Sequence, residues 1–451
     1  MIKKLLLLCA PIKTRSGYGN HARDVFHALY MTNKYDIKIL DVPWGDCPRN
    51  ALDKNNKNDK LILDSIMLDT TINRQPDIYI DLRIPNEFET YGKINIGFTA
   101  GIETNAVSVN WVDGCNKMNL NIVPSEHSKR SFVETRFDKM EERAGQDTVK
   151  IGEIVLEKPM EVVFEGVDEN IYKKISVGEI EENILDGINN IIKEDFAFLF
   201  VGQWIKGGYG EDRKDIFKLI KIFLESFANK STRPALILKT SGASFSIMDY
   251  ERTIEKIKSV KAKFPTDWKL PSIYLLHGEL SDIEMNSLYN HPKVKSFVTF
   301  THGEGFGRPM LEASMVGLPV MAPGWSGQVD FLSSSLSFLF RGSIDNIPKS
   351  AVWEDILIPE SKWFVIDENH AYDGLIDMHQ NYFDYKRKAE TLMAINREKF
   401  TLTKMSILLD KVITDASEGL PSETKLNLPK LKKIANDNNQ AKLKLPKLKK
   451  V

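Results

Sequence analysis

Two carboxylates, Glu304 and Glu312, stand eight residues apart in residues 301–332, THGEGFGRPMLEASMVGLPVMAPGWSGQVDFL. Gly303, Gly305 and Gly307 surround the first, and Pro309 precedes the second. A glycine turn that opens a helix leaves backbone N–H groups free at the positive end of the helix dipole, which suits phosphate. Ionised carboxylates only accept hydrogen bonds, so they suit the vicinal hydroxyls of a sugar or a ribose. Amide donors for phosphate beside carboxylates for hydroxyls describe a nucleotide-sugar site.

Positioning these groups takes a definite unit. Residues 294–300 are an apolar run that reads as a buried strand. Pro309 fits the start of a short helix. Gly317 fits its end, and residues 319–322 form a second apolar strand. The unit is strand, glycine turn, helix, strand. Glu304 lies in the turn and Glu312 inside the helix.

The whole string resembles the EX7E signature of family 4 retaining glycosyltransferases of GT-B fold. The residues that carry the resemblance are Glu304, Gly305, Phe306, Gly307, Pro309, Leu311, Glu312, Ala313, Gly317, Pro319 and Val320. Arg308 departs from it, standing where the family often has an apolar residue; it can add a phosphate contact or a salt bridge. The resemblance implies two Rossmann-like domains facing across a cleft: an acceptor domain at 1–166 and a nucleotide-sugar domain at 167–395. A helix at 396–416 would cross back to the first domain, and the Lys-rich tail, 417–451, is expected to be disordered.

The first half opens with an apolar strand at 5–12, the loop Thr14-Arg15-Ser16-Gly17-Tyr18-Gly19-Asn20 and a helical pattern at 21–30. A loop at the carboxyl end of the first strand is where open α/β sheets bind ligands. The resemblance gives Gly17 and Gly19 to the donor phosphates and Tyr18 to the acceptor side. A second strand spans 35–42, an exposed loop 50–60, and further strands 77–81 and 93–99. Glu103, Thr104, Trp111 and Pro124-Ser125-Glu126-His127-Ser128-Lys129 match another family stretch, which places Glu103 and Thr104 on the cleft near acceptor and transferred sugar. His127 reads as a helix-start residue. Residues 136–157 read as a charged surface insertion, and Glu165-Gly166-Val167-Asp168 resembles the family's interdomain junction.

In the second half an apolar strand at 195–201 leads to Gly202-Gln203-Trp204 and then to Arg213 and Lys214, read as the start of a helix. In the family an arginine and a lysine here bind the donor diphosphate. Lys214 matches the lysine, Gln203 stands where the arginine usually is, and Arg213 can substitute. After a strand at 273–276, the loop with Gly278 is expected against the nucleobase. Ser281 should cap the next helix, with Glu284 completing a capping box. Residues 326–328, after Gly324 and Trp325, are expected near the donor pocket, and Trp325 either joins them or packs as core. Residues 372–416 are helical by period.

Bulk properties fit this reading. A chain of 451 residues suggests two domains. Apolar and charged fractions of 42% and 27% are those of a soluble globular protein. Cys9, Cys47 and Cys115 show no metal spacing, and a sparse, odd set points to a reducing, cytoplasmic setting. Lys3, Lys4 and the leucines after them imitate a short signal peptide, but the glycine loop that follows favours a buried first strand. Net charge is −1 overall, yet residues 425–451 carry nine lysines and one acid, a net of +8. Leu428-Pro429-Lys430-Leu431-Lys432-Lys433 recurs as Leu445-Pro446-Lys447-Leu448-Lys449-Lys450. Such a segment cannot bury enough apolar surface to fold alone. It can bind nucleic acid, an anionic membrane or a protein groove, or remain solvated.

The expected activity is retaining transfer of a hexosyl or pentosyl group from a nucleotide diphosphate sugar to a glycan or lipid-linked glycan. The expected catalytic residues are Glu304, Lys214 and Glu103. Donor binding falls to Gly17, Gly19, Arg213, Lys214, Gly278, Glu304, Gly305, Phe306, Gly307 and Glu312. Tyr18, Glu103 and Thr104 form the acceptor side. No metal and no resident cofactor is expected. Residues 15–24, residues 99–104 and residues 125–129 also resemble enzymes of large tailed bacteriophages. That makes DNA with a hydroxymethylated base an alternative acceptor, in the host cytoplasm. A further alternative is an inactive GT-B binding module recruited through its tail.

Overall fold

Residues 5–10 are all buried, and a strand buried on both faces belongs inside a parallel sheet covered by helices. The computed structural model, which describes residues 3–69, 71–141, 149–205, 207–242 and 245–418, contains two such sheets.

The first half runs β1 (Lys4–Ala10), α1 (Gly17–Met31), β2 (Tyr35–Asp41), α2 (Lys57–Ser65), β3 (Ile78–Leu82), β4 (Ile94–Phe98), α3 (Val109–Asn116), β5 (Leu120–Val123), α4 (Glu126–Glu134), the hairpin β6 (Phe137–Glu141) and β7 (Val149–Ile154), and β8 (Met160–Val162). Its six-stranded parallel sheet has the order β2-β1-β3-β4-β5-β8. The second half runs α5 (Glu182–Ile191), β9 (Ala197–Gln203), α6 (Ile216–Phe227), β10 (Ala235–Ser241), α7 (Ile247–Lys261), β11 (Ile273–Leu276), α8 (Asp282–Asn290), β12 (Val294–Val298), α9 (Arg308–Met315), β13 (Val320–Pro323) and β14 (Phe338–Phe340). Its parallel sheet has the order β11-β10-β9-β12-β13-β14. The antiparallel pair β15 (Gly342–Asn346) and β16 (Lys362–Ile366) follows, then α10 (Glu368–Gln380), α11 (Tyr382–Lys399) and α12 (Leu402–Glu418).

In each sheet the strand order reverses beside the first strand, between β1 and β3 and between β9 and β12. Open α/β sheets bind ligands outside the carboxyl ends at that reversal. The segments that follow β1, β9 and β12 carry Tyr18, in the first turn of α1, and Lys214 and Glu304, in loops.

The chain crosses between the halves twice. Val167 N donates to Phe400 O at 3.1 Å, and Leu402 N donates to Val167 O at 2.9 Å. Beyond this crossing Leu402, Met405, Leu409 and Ile413 project from one face of α12 into the first-half core. Ser406 Oγ donates to Ala28 O of α1 at 2.6 Å.

Several elements differ from expectation. α1 begins at Gly17, because Ser16 Oγ accepts the Gly19 amide at 3.0 Å; a good cap starts a helix even over two glycines. α2 emerges from the expected 50–60 loop, capped by Asn56. The 136–157 insertion forms the exposed hairpin β6–β7, apart from its residues 142–148, which lie outside the described residues. Asn396 belongs to α11, and the returning helix starts at Leu402. The tail repeat, from residue 419 onward, also lies outside the described residues. No helix among the described residues is long and apolar enough to cross a membrane.

Candidate functional site

Arg213 and Lys214 lie in a loop, not in a helix as the sequence suggested. Asp215 takes the left-handed conformation at φ 48°, so α6 starts only at Ile216. Buried Asp212 shapes the loop by accepting the amides of Lys214 and Ile216, each at 3.0 Å. Burial beside Asp215 pushes the Asp212 carboxyl up to about 7. The loop is tied to the 301–304 turn, since His302 N donates to Arg213 O at 3.0 Å. His302 stacks on Trp363 with ring centroids 4.0 Å apart and bonds Phe364 O through Nδ1 at 2.6 Å. This buried scaffold brings the Lys214 ammonium onto Glu304 Oε1. Burial alone would raise the Glu304 carboxyl; Lys214 and Arg213 outweigh it and hold Glu304 below the usual carboxylate range.

Arg213 reaches across the cleft and pairs with Glu103. The surrounding surfaces touch: Ser125 Oγ donates to Gly305 O at 2.6 Å, and the Glu126 amide donates to Asp330 Oδ2 at 2.9 Å. A Cβ on Gly303 would lie 2.1 Å from Glu103 O, and one on Gly305 would lie 2.0 Å from Ala100 O. Both glycines are needed for this approach. Tyr18, stacked on Trp44 at 4.0 Å, shares a 2.8 Å hydrogen bond between its Oη and Thr99 Oγ1, and burial keeps its phenol protonated.

Gly307, at φ 102°, opens α9 without a side-chain cap, and Gly317, at φ 73°, follows its end. One turn in, Glu312 is buried and already held. Arg308 Nε donates to its Oε1 at 2.9 Å and Tyr289 Oη to its Oε2 at 3.0 Å. Burial raises the Glu312 carboxyl in spite of Arg308. The other side of Arg308 pairs with Asp24 of α1, so the residue that departs from the family pattern makes a salt bridge between the two halves.

Gly278, at φ 133°, lies in the loop after β11, and its carbonyl accepts Lys239 Nζ at 2.7 Å. Burial pulls the Lys239 ammonium down to about 8. Next to it Glu279 pairs across the cleft with Arg15 at 2.6 Å.

Not every expected residue presents its side chain. Phe306 is core, packed on Phe331 with centroids 5.1 Å apart, so only its backbone can serve a ligand. Thr104 is fully buried and donates to Ala106 O at 2.9 Å, which makes it structural. Gly19 is pinned against Thr14 O, 2.2 Å from where a Cβ would stand, whereas Gly17 faces open space. His127 is in the first turn of α4 and packs on Trp325 at 4.6 Å, so Trp325 joins the interdomain contact. Lys239 and Tyr289 were not singled out in the sequence, and Asp24 figured there only within the 15–24 stretch, without a role. Each lies far along the chain from the residue it supports, and no local motif marks it. Among the described residues no cluster of three His, Cys, Asp or Glu side chains is arranged to hold a metal ion.

Two parallel Rossmann-like sheets facing across a cleft, with a helix returning from the second to the first, make this a GT-B fold. The chain is similar in structure to the Anabaena protein HepE in complex with UDP-glucose, with a TM-score of 0.56, 14% identity, and 91% of this chain and 99% of that chain covered. It is similar to sucrose-phosphate synthase from Thermosynechococcus elongatus, with a TM-score of 0.59, 9% identity, and coverage of 92% and 99%. A glycosyltransferase from Rickettsia africae ESF-5 gives a TM-score of 0.58, 12% identity, and coverage of 93% and 100%. At the level of sequence no family model matches the chain, and no curated protein does either.

Proposed function

We propose that this chain is a retaining glycosyltransferase that moves a sugar from a nucleotide diphosphate sugar to a glycan or lipid-linked glycan hydroxyl. The observation that carries the reading is the Lys214–Glu304 pair at the sheet reversal of the second half, facing Arg213–Glu103 across the cleft. The UDP-glucose bound to HepE, a protein of the same fold, supports a nucleotide sugar as donor.

In this reading the donor diphosphate displaces carboxylates from Lys214 and Arg213. As the anomeric bond breaks, negative charge builds on the leaving diphosphate, and these cations stabilise it most at that moment. They take the part a metal would play, so the reaction is metal-independent. Glu304, released from Lys214, turns to the sugar hydroxyls and to the positive charge at the anomeric carbon. Glu312 takes the ribose hydroxyls with the lone pairs that Arg308 and Tyr289 leave free. Gly17, Gly19, Gly278 and the 305–307 backbone line the donor, and Tyr18 and Glu103 face the acceptor. Closure of the two halves excludes water and limits donor hydrolysis.

The Lys-rich repeat favours a second acceptor, DNA carrying a hydroxymethylated base, as in a phage-encoded enzyme working in host cytoplasm. The test is to incubate the protein with UDP-, GDP-, ADP- and TDP-sugars and measure free nucleotide diphosphate, with and without hydroxymethylated DNA, beside Glu312→Ala. Release from one donor, lost in the variant, supports transfer, and stimulation by DNA selects the second acceptor. Neither release nor donor binding would reduce the chain to a binding module.

A further inference from the structure

Around the Arg308–Glu312 pair stand two buried polar groups without partners. His21 of α1 faces Arg308 and is fully buried, with no hydrogen-bond partner on either ring nitrogen among the described residues. Burial and Arg308 pull its imidazole down to about 3, so it is neutral. The second group is Glu165, which the sequence marked only as part of the interdomain junction. Its residue is 8% exposed, and no hydrogen bond or ion pair holds its carboxyl among the described residues.

Glu165 is held in place by its backbone. The Gly166 amide points to the Met405 sulfur at 3.2 Å, and Val167 is bonded on both sides to the start of α12. A Cβ on Gly166 would come within 2.8 Å of Leu402 Cα and Thr401 O. Of the elements packed here, α12 contributes Leu402 and Met405, neither of which titrates. The ionisable groups near enough to act on Glu165 are Glu312 of α9 and Glu304 of the loop after β12, and Glu165 in turn acts on Tyr18 of α1. Glu312 and Glu304 carry Arg308 and Lys214 as partners, and Tyr18 is a protonated phenol. Glu165 has no cation of its own.

A mostly buried carboxyl whose oxygens have no protein partner leaves them to a ligand. Glu304 and Glu312 already bring two carboxylates, and the donor brings a diphosphate. A third ionised carboxylate would repel all of them. Neutral, it offers an O–H donor beside two acceptor-only groups. We propose, resting on the nucleotide-sugar reading above, that Glu165 is a donor-site residue: as a neutral carboxylic acid it gives a hydrogen bond to an oxygen of the bound nucleotide sugar. Burial, with Glu312 and Glu304 nearby, pushes this carboxyl up to about 8, which agrees with that role.

The test is donor KM against pH for the full chain, from pH 7 to 9, in wild type, E165Q and E165A, using the nucleotide sugar that the panel selects. Ionisation of Glu165 should raise the wild-type KM roughly tenfold by pH 9, with a smaller change in kcat. An amide also donates but does not titrate. E165Q should therefore start with a KM a few-fold above wild type and show no such rise, while E165A should be weaker than E165Q throughout. Lys239 and Asp212 titrate near the same range, so the difference between wild type and E165Q carries the test, not the wild-type curve alone. Parallel curves for wild type and E165Q would overturn the role of Glu165 while leaving the donor reading intact. A wild type that neither turns over nor binds any nucleotide sugar by calorimetry would overturn both. If E165A does not fold, E165Q, which keeps the side-chain volume, decides.

Discussion

Arg213 of the second half and Glu103 of the first are ion-paired across the cleft. The same cleft is bridged by Arg15–Glu279 and Arg308–Asp24. Three arginine–carboxylate bridges thus join the two halves across the cleft.

Partly exposed ion pairs weaken with salt, because screening at high ionic strength acts within a few ångströms. Small-angle scattering of the ligand-free protein should show a larger radius of gyration at 0.5 M than at about 0.05 M salt. E103Q should be expanded even at low salt. An unchanged radius in both cases would show that apolar contacts, such as His127 on Trp325, hold the halves together instead.

Lys214→Ala should lower nucleotide diphosphate release by a factor of about 10² to 10³, the usual loss when one preorganised charge-stabilising group is removed. The loss should fall mainly on kcat. A loss confined to KM would assign Lys214 to ground-state binding alone.

Arg308→Ala leaves Glu312 and Asp24 without their shared cation in a mostly buried place. Breaking one side of a buried pair costs about 3 kcal/mol. The denaturation midpoint should drop accordingly. R308K should recover only part of the loss, since an ammonium cannot reproduce the guanidinium fork that meets two carboxylates.

The two glycines of the first loop should separate cleanly. A Cβ at position 19 runs into Thr14 O at 2.2 Å, while one at position 17 meets nothing within 4 Å. Gly19→Ala should destabilise by about 1–3 kcal/mol. Gly17→Ala should be neutral or slightly stabilising, as expected for alanine in a helix. Urea denaturation of both variants checks this.

Two carboxyls make a contribution to stability that is lost as pH rises from about 4.5 to about 8, while the buried His21, His27 and His127, pulled down to about 3 to 4, work the other way below about 6.5. Glu165 and Asp212 have native values raised to about 8 and about 7. In that window the native state holds protons that the unfolded chain has released, so raising the pH favours unfolding. The thermal midpoint of wild type minus that of E165Q should therefore decline from pH 5 to 8, since the histidines are common to both. A difference that stays constant or climbs across that range would contradict this.

Local chemistry was legible in the sequence. Glycine spacing, Pro309 near the helix start and the apolar runs defined the unit around Glu304 and Glu312, because caps, turns and period-two burial are set by neighbours along the chain. Ser281 and Glu284 form the expected capping box for the same reason. What tertiary structure alone decided is who meets whom across long separations. Tyr289 meets Glu312, Arg308 reaches Asp24, Arg213 reaches Glu103, and Glu165 is left without a partner among the described residues. The Arg308–Asp24 and Arg213–Glu103 pairs depend on two sheets docking face to face, and Tyr289 reaches Glu312 only because α8 packs by α9. No residue type announces its partner when that partner is supplied by the other half of the fold.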